Sequence, residues 1–93
     1  MAKQNALEEK CAGARFPWES ASSGVDTTPK DCATGWREIH VVSDVAFGCW
    51  QHYLTTGDDA FLLGPATEII LETARYWSTR AERKALPGAG YRY

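Results

Sequence analysis

Four side chains in this sequence could do acid–base chemistry together: Glu19, Glu38, His40 and Asp44, with Arg15 and Arg37 close by in the chain as counter-charges. Two carboxylates placed on either side of a glycosidic bond can act as acid and base in sugar hydrolysis. Glu19 and Glu38 are separated by a long irregular stretch, so spacing alone does not bring them to that geometry. Glu38, His40 and Asp44 fall at the first turns of a helical pattern, where an acidic residue also suits the helix dipole. Capping is therefore the plain reading of the two carboxylates. His40 has only His52 as a histidine partner, twelve residues on, which is not a metal-ligand spacing. Hydrogen bonding is the expected role for His40, and no metal site is expected. The chain has no phosphate-cradling glycine loop, no G-x-S-x-G and no H-E-x-x-H, so its residues alone identify no catalytic set.

Aromatic side chains are a second chemical resource. Four Trp and four Tyr in 93 residues is a heavy load for so short a chain. Flat rings either fill a core or stack on the flat faces of sugars and bases, and composition does not choose between these. Phe16, Trp18 and Trp36 lie in residues 14–36, an aperiodic stretch broken by Pro17 and Pro29 and rich in Ser, Thr, Gly and Asp. Aromatics interleaved with Arg15, Glu19 and Arg37 do not suit plain exposure to water. The reading is a folded loop that lines a cavity.

The elements that must hold this loop are helical. Residues 1–12 favour helix, with a thin apolar stripe of Ala6, Leu7 and Cys11 and a stop at Gly13. Residues 38–56 place Ile39, Val42, Ala46, Cys49 or Trp50, and Tyr53 on one face. Residues 60–83 do the same with Leu63, Ala66, Ile70, Ala74 and Trp77, flanked by Ile69 and Thr73. Between these two patterns, Gly57 can take the left-handed conformation that ends a helix, and Asp58 or Asp59 can cap the next. So short a connection predicts an antiparallel helical hairpin. Pro65 fits a first-turn position, so the regular part of the second helix is expected to begin near it. Gly48, inside the first helix, implies the close approach of another backbone. Val41, Val45, Phe47 and Leu54 lie off the main stripe of the first helix, and Leu62, Leu71 and Tyr76 off that of the second. A lone hairpin has one face to bury, so this excess implies further neighbours. Residues 84–93 lose all periodicity and read as a flexible tail.

Size and charge narrow the partners. Ninety-three residues form one small domain at most. A net charge of −2 with no basic cluster disfavours nucleic acid. No apolar run is long enough to span a bilayer and no signal-peptide core is present, so a soluble, cytoplasmic protein is expected. Cys11, Cys32 and Cys49 are an odd set without C-x-x-C spacing and read as reduced thiols.

Several motifs in order carry a resemblance: Gln4-Asn5-Ala6-Leu7, Gly13-Ala14-Arg15-Phe16-Pro17-Trp18-Glu19-Ser20, Thr28-Pro29, Glu38-Ile39-His40-Val41, Asp44-Val45-Ala46-Phe47, Thr56-Gly57-Asp58 and Glu68-Ile69-Ile70-Leu71-Glu72-Thr73-Ala74-Arg75-Tyr76-Trp77-Ser78-Thr79-Arg80. Over residues 4–83 the chain resembles glycoside hydrolase family 65, which contains maltose, trehalose and kojibiose phosphorylases and acid trehalases. The resemblance implies a mainly α fold: the hairpin and long loop would be a partial piece of an (α/α)6 barrel, which accounts for the surplus apolar surface. It implies that Trp18 packs on a sugar ring and Glu19 hydrogen-bonds sugar hydroxyls on the acceptor side, with His40 and Ser43 near the pocket. A disaccharide or glucose is the implied ligand. No cofactor is implied beyond inorganic phosphate as co-substrate if the parent enzyme is a phosphorylase. The family's general acid, a Glu in a Gly-Pro-Asp-Glu-Tyr-like motif, is absent here, as are its Phe-Trp-Asp segment and phosphate-binding loop. The expectation is a truncated piece of the catalytic domain, without catalytic residues or turnover of its own. The competing expectation is a small helical interaction module that binds a protein partner, or itself, through the apolar helix faces.

Overall fold

The structure is a computed structural model that describes residues 1–81 together with 84–85 and 91–92; the side chains of Trp36 and of residues 84–85 and 91–92 also lie outside the described part. It is mainly α-helical. Helix α1 spans Ala2–Glu8, α2 Ala33–Arg37, α3 Val41–Thr56, α4 Asp59–Phe61 and α5 Thr67–Arg80. Two-residue strands β1, Lys84–Ala85, and β2, Tyr91–Arg92, pair antiparallel within the stretch read as an aperiodic tail.

The hairpin of α3 and α5 forms as its turn chemistry predicts. Gly57 closes α3 at φ 64°, donating its N–H to the carbonyl of Tyr53. Only glycine takes that left-handed conformation without a Cβ penalty. Asp58 then caps α4, its carboxylate accepting the N–H of Phe61 at 2.9 Å. At Leu62–Ala66 the helical path breaks. Gly64 leaves helical geometry at φ −100°, ψ −110°, and Pro65, which has no N–H to give, follows it. The carbonyl of Leu62 accepts both the backbone N–H and the hydroxyl of Thr67, and regular helix resumes at Thr67, two residues past the proline.

The core follows the stripe read from the second helical pattern only in part: Ala66 is buried and Trp77 packs on the core. Tyr76 is fully buried and Thr73 nearly so, whereas Ala74 is exposed and Leu63 is 78% exposed. The reason is α1. With the segment after it, α1 runs along α5 from Lys3 at Glu68 to Ala12 at Thr79, and Ala6, Cys11, Val42 and Tyr76 form one cluster with Trp77 against it. Val42 and Tyr76 are the largest fully buried side chains, and each contributes about 2 kcal/mol of burial. The stripe of α1 is likewise rotated: Asn5 and Ala6 are buried, while Leu7 is 64% exposed.

Helix α1 also ends earlier than a stop at Gly13 predicts. Lys10 takes a left-handed φ of 60°. Its N–H reaches the carbonyl of Leu7 and that of Cys11 reaches Ala6, the paired bonds of a Schellman cap. Gly13 serves a different purpose. At φ 79° it runs against α5, where a Cβ would stand 2.1 Å from the Glu72 carbonyl oxygen and 2.5 Å from the Tyr76 nitrogen. Gly48 lacks the close backbone approach that its place inside a helix implies: a Cβ there meets nothing within 4 Å among the described residues. The radius of gyration is 15.4 Å, against roughly 12 Å for a compact chain of this length. The molecule is an open slab of 47 × 37 × 19 Å. No helix among the described residues is long and apolar enough to cross a membrane.

Candidate functional site

The stretch 14–36 is folded, and its last residues are helical rather than loop. Ser20 and Asp26 form an antiparallel bridge around a turn at Ala21–Gly24, and the carbonyl of Glu19 accepts the N–H of Thr27 at 3.0 Å. Helix α2 follows. Glu38 terminates it in extended conformation, and α3 starts only at Val41, with His40 at its N-cap. Glu38 is therefore not in the first turn of α3, as the pattern suggested; Asp44 is. The extended Glu38 and the short link of Ile39 turn the chain between two helices and set His40 outward, beside the loop.

That placement brings sequence-distant residues together. The Trp18 indole stands edge-on to the His40 imidazole, ring centroids 5.2 Å apart and planes at 74°. Trp18 Cδ1 also lies 3.6 Å from where a Cβ on Gly35 would stand, so α2 presents backbone to the indole. Glu38 Oε2 approaches His40 Nδ1 at 3.4 Å, and Asp44 Oδ2 approaches Nε2 at 3.8 Å. The imidazole thus sits between two carboxylates, with an aromatic edge beside it. Ser43 follows three residues on, its N–H bound to the His40 carbonyl at 2.8 Å. Trp18 is 44% exposed, and His40, Ser43 and Glu19 are exposed. Among the described residues no group of three His, Cys, Asp or Glu side chains is arranged to hold a metal.

Glu19 is placed by its backbone. Its N–H binds the Thr28 hydroxyl at 3.2 Å. The Cys32 thiol is held below its usual range, first by the Thr34 hydroxyl and then by the backbone N–H of Gly35, against an upward push from Glu19.

Arg15 is not a counter-charge to the His40 cluster. It is 6% exposed and pairs with Glu9 and Asp26. Its Nε lies 2.8 Å from Glu9 Oε1, an ion pair out of line for a hydrogen bond, and NH1 donates to Asp26 Oδ2 at 3.3 Å. Asp26 is partly buried, which raises its carboxyl pKa. Hydrogen bonds from Thr28 and Arg15 outweigh that and hold it below the usual carboxylate value. Asp26 Oδ1 accepts the N–H of Thr28 at 2.9 Å, an Asx turn. The Asp26-x-Thr28 spacing is the one sequence signal that could have found this pair. Arg37 lines a cleft of about 520 Å³ with Glu9, Lys10, Cys11, Ile39, Thr79 and Arg80. Smaller clefts of about 460 and 340 Å³ take in Asp26 and Thr28, and Phe16, respectively. None of these three is lined by Trp18, Glu19, His40 or Ser43, all of which are exposed.

The arrangement is an aromatic edge, an imidazole and flanking carboxylates on one exposed face, a set suited to hydroxyl-rich ligands. The profile of the glycosyl hydrolase family 65 central catalytic domain matches residues 1–89. The chain belongs to glycosyl hydrolase family 65. Among its relatives, a kojibiose hydrolase of Flavobacterium johnsoniae is 48% identical over 71 residues, covering 76% of this chain and 10% of the relative. A kojibiose phosphorylase of Caldanaerobacter subterraneus is 42% identical over 91 residues, covering 87% of this chain and 12% of the relative. A protein-glucosylgalactosylhydroxylysine glucosidase of Gallus gallus is 40% identical over 77 residues, covering 82% and 11%. The chain spans about a tenth of the length of the curated relatives it matches. As a partial piece of an α/α barrel in this family, the hairpin leaves Phe47, Trp50, Leu54, Leu63 and Leu71 exposed.

Proposed function

We propose that this chain supplies one wall of the sugar pocket in a glycosidase or disaccharide phosphorylase. Trp18 packs on a sugar ring, Glu19 accepts hydrogen bonds from sugar hydroxyls on the acceptor side, and His40 and Ser43 complete the polar edge. In such an enzyme catalysis is inverting. A general acid from beyond these residues protonates the glycosidic oxygen, and water or phosphate attacks the anomeric carbon from the opposite face. An α-linked glucose disaccharide of the kojibiose kind is the substrate class, with inorganic phosphate as co-substrate only if the parent is a phosphorylase. The chain alone turns over no disaccharide. A cytoplasmic setting goes with its three free thiols.

The observation that carries this reading is the contact of Trp18 with His40, which joins two separate family motifs on one open face. A second reading has its own support. Phe47 at 63% and Leu63 at 78% exposed are large apolar groups in water, as on a helical module that docks a protein or a second copy. Tryptophan fluorescence during a glucose or kojibiose titration, paired with size-exclusion chromatography, separates the two. A saturable spectral change with an unchanged elution volume supports the sugar wall. Concentration-dependent self-association with no saccharide response supports the module.

A further inference from the structure

The segment that bears Trp18 and Glu19 is tied to the core by a continuous line of polar contacts. The Tyr76 hydroxyl donates to Glu9 Oε2 at 2.8 Å, and Glu9 Oε1 pairs with Arg15. Arg15 donates to Asp26, Asp26 accepts the Thr28 N–H, and the Thr28 hydroxyl accepts the Glu19 N–H. Asp26 therefore spends one carboxylate oxygen on Arg15 and the other on the backbone of Thr28. Thr28 is the last link and the one that touches the site segment. Its γ-methyl would lie 2.9 Å from a Cβ on Gly35, the same glycine that faces the Trp18 indole. The methyl is thus wedged against α2 while the hydroxyl faces Glu19. A second bond, from the Thr27 N–H to the Glu19 carbonyl, fixes the other side of the same residue.

We propose that Thr28 is a positioning residue for the sugar subsite: its hydroxyl, set by Asp26 and Arg15, fixes the Glu19 backbone and with it the approach of Trp18 to His40. This rests on the sugar-wall reading above. Removing the hydroxyl leaves Glu19 held through its carbonyl alone, and the two sugar-contacting side chains lose a common anchor.

Two substitutions separate this role from simple packing. Thr28→Val keeps the methyl wedge and removes the hydroxyl; Thr28→Ser keeps the hydroxyl and removes the methyl. Each is compared with the unaltered chain in two measurements, the dissociation constant for glucose and kojibiose by NMR titration and hydrogen exchange of the Glu19 amide. One lost hydrogen bond corresponds to about a tenfold effect, so Thr28→Val is expected to weaken sugar binding and speed Glu19 exchange by about that factor. Thr28→Ser is expected to stay within about twofold on both, since the hydroxyl is retained. If Val behaves as the unaltered chain, or if Ser is the more damaging, the methyl and not the hydroxyl matters and the positioning role is overturned. If the unaltered chain binds neither sugar, the subsite reading itself fails, whereas equal Glu19 exchange in all three chains removes the positioning role alone.

Discussion

The Tyr76 hydroxyl donates a 2.8 Å hydrogen bond to Glu9, joining α5 to the end of α1 across 67 residues of sequence. The tyrosine ring is fully buried, and burial followed by the neighbouring carboxylate pushes its phenol up from 10.0 to about 12. A folded-state value above the unfolded one stabilises the fold at every pH below the unfolded value, near 10. That contribution is lost as pH rises through about 12. Tyr76→Phe removes the bond while keeping the packing, at a cost of about 1–2 kcal/mol because the acceptor is charged. Melting by circular dichroism is expected to show this loss at pH 8. The unaltered chain is expected to lose stability between pH 10 and 12 more steeply than the variant; parallel curves would remove Tyr76 from the account.

Of the glycines among the described residues, Gly13 makes the closest backbone approach. Gly13→Ala would place a methyl against the Glu72 carbonyl and the Tyr76 nitrogen, neither of which is a flexible side-chain end. Together with a positive φ, the substitution is expected to cost about 3 kcal/mol. A chemical-denaturation midpoint unchanged by the alanine would mean that α1 does not lie on α5 as described.

Lys10 stands where a Schellman cap prefers glycine. Its side chain forms no ion pair with any described residue, and its left-handed backbone is costly for any residue with a Cβ. Lys10→Gly is expected to stabilise the chain by about 0.5–1 kcal/mol, or about 4 °C in melting temperature for a domain of this size. Destabilisation of that size would show that the cap is not formed.

The three cysteines are expected to react in a fixed order. Cys32 is exposed and its thiol is held below the usual value by Thr34 and Gly35, whereas Cys11 and Cys49 are buried. Alkylation with iodoacetamide followed by peptide mass mapping is expected to modify Cys32 first at neutral pH. Thr34→Val should slow that reaction by removing the hydroxyl partner of the sulfur. Equal labelling of Cys11 and Cys32 in the native chain would contradict the burial of Cys11 beside Tyr76.

What was legible in the sequence follows the range of the forces involved. The Gly57-Asp58 turn, the break at Gly64-Pro65 and the pairing of two helices rest on local backbone chemistry, and each is present. The buried face of α5 is legible only in part, because the segment that ends α1 covers it as well as α3: Tyr76 looks like surplus until Glu9 and Cys11 lie over it. Gly13 reads as a helix stop from its neighbours alone, since its contact with Glu72 is not local. Charge proximity in the chain put Arg15 with Glu38 and His40. The fold pairs it instead with Glu9 and Asp26, because the Ser20–Asp26 bridge folds the loop back toward it. Trp18 and His40 were picked out separately from family motifs, and their contact depends on the extended link at Glu38, which helical periodicity ran through as continuous helix.

The central claim is that Trp18, Glu19 and His40 form one sugar-facing wall. Proton–nitrogen NMR of the labelled chain during a kojibiose titration tests it most directly, with Trp18→Phe to assign the indole signal. The account predicts that the Trp18 indole N–H, the Glu19 amide and the His40 ring signals shift together along one saturable curve while Trp50 stays still. No shift at any of the three, or shifts confined to Trp50 and the exposed face of α3, would contradict it.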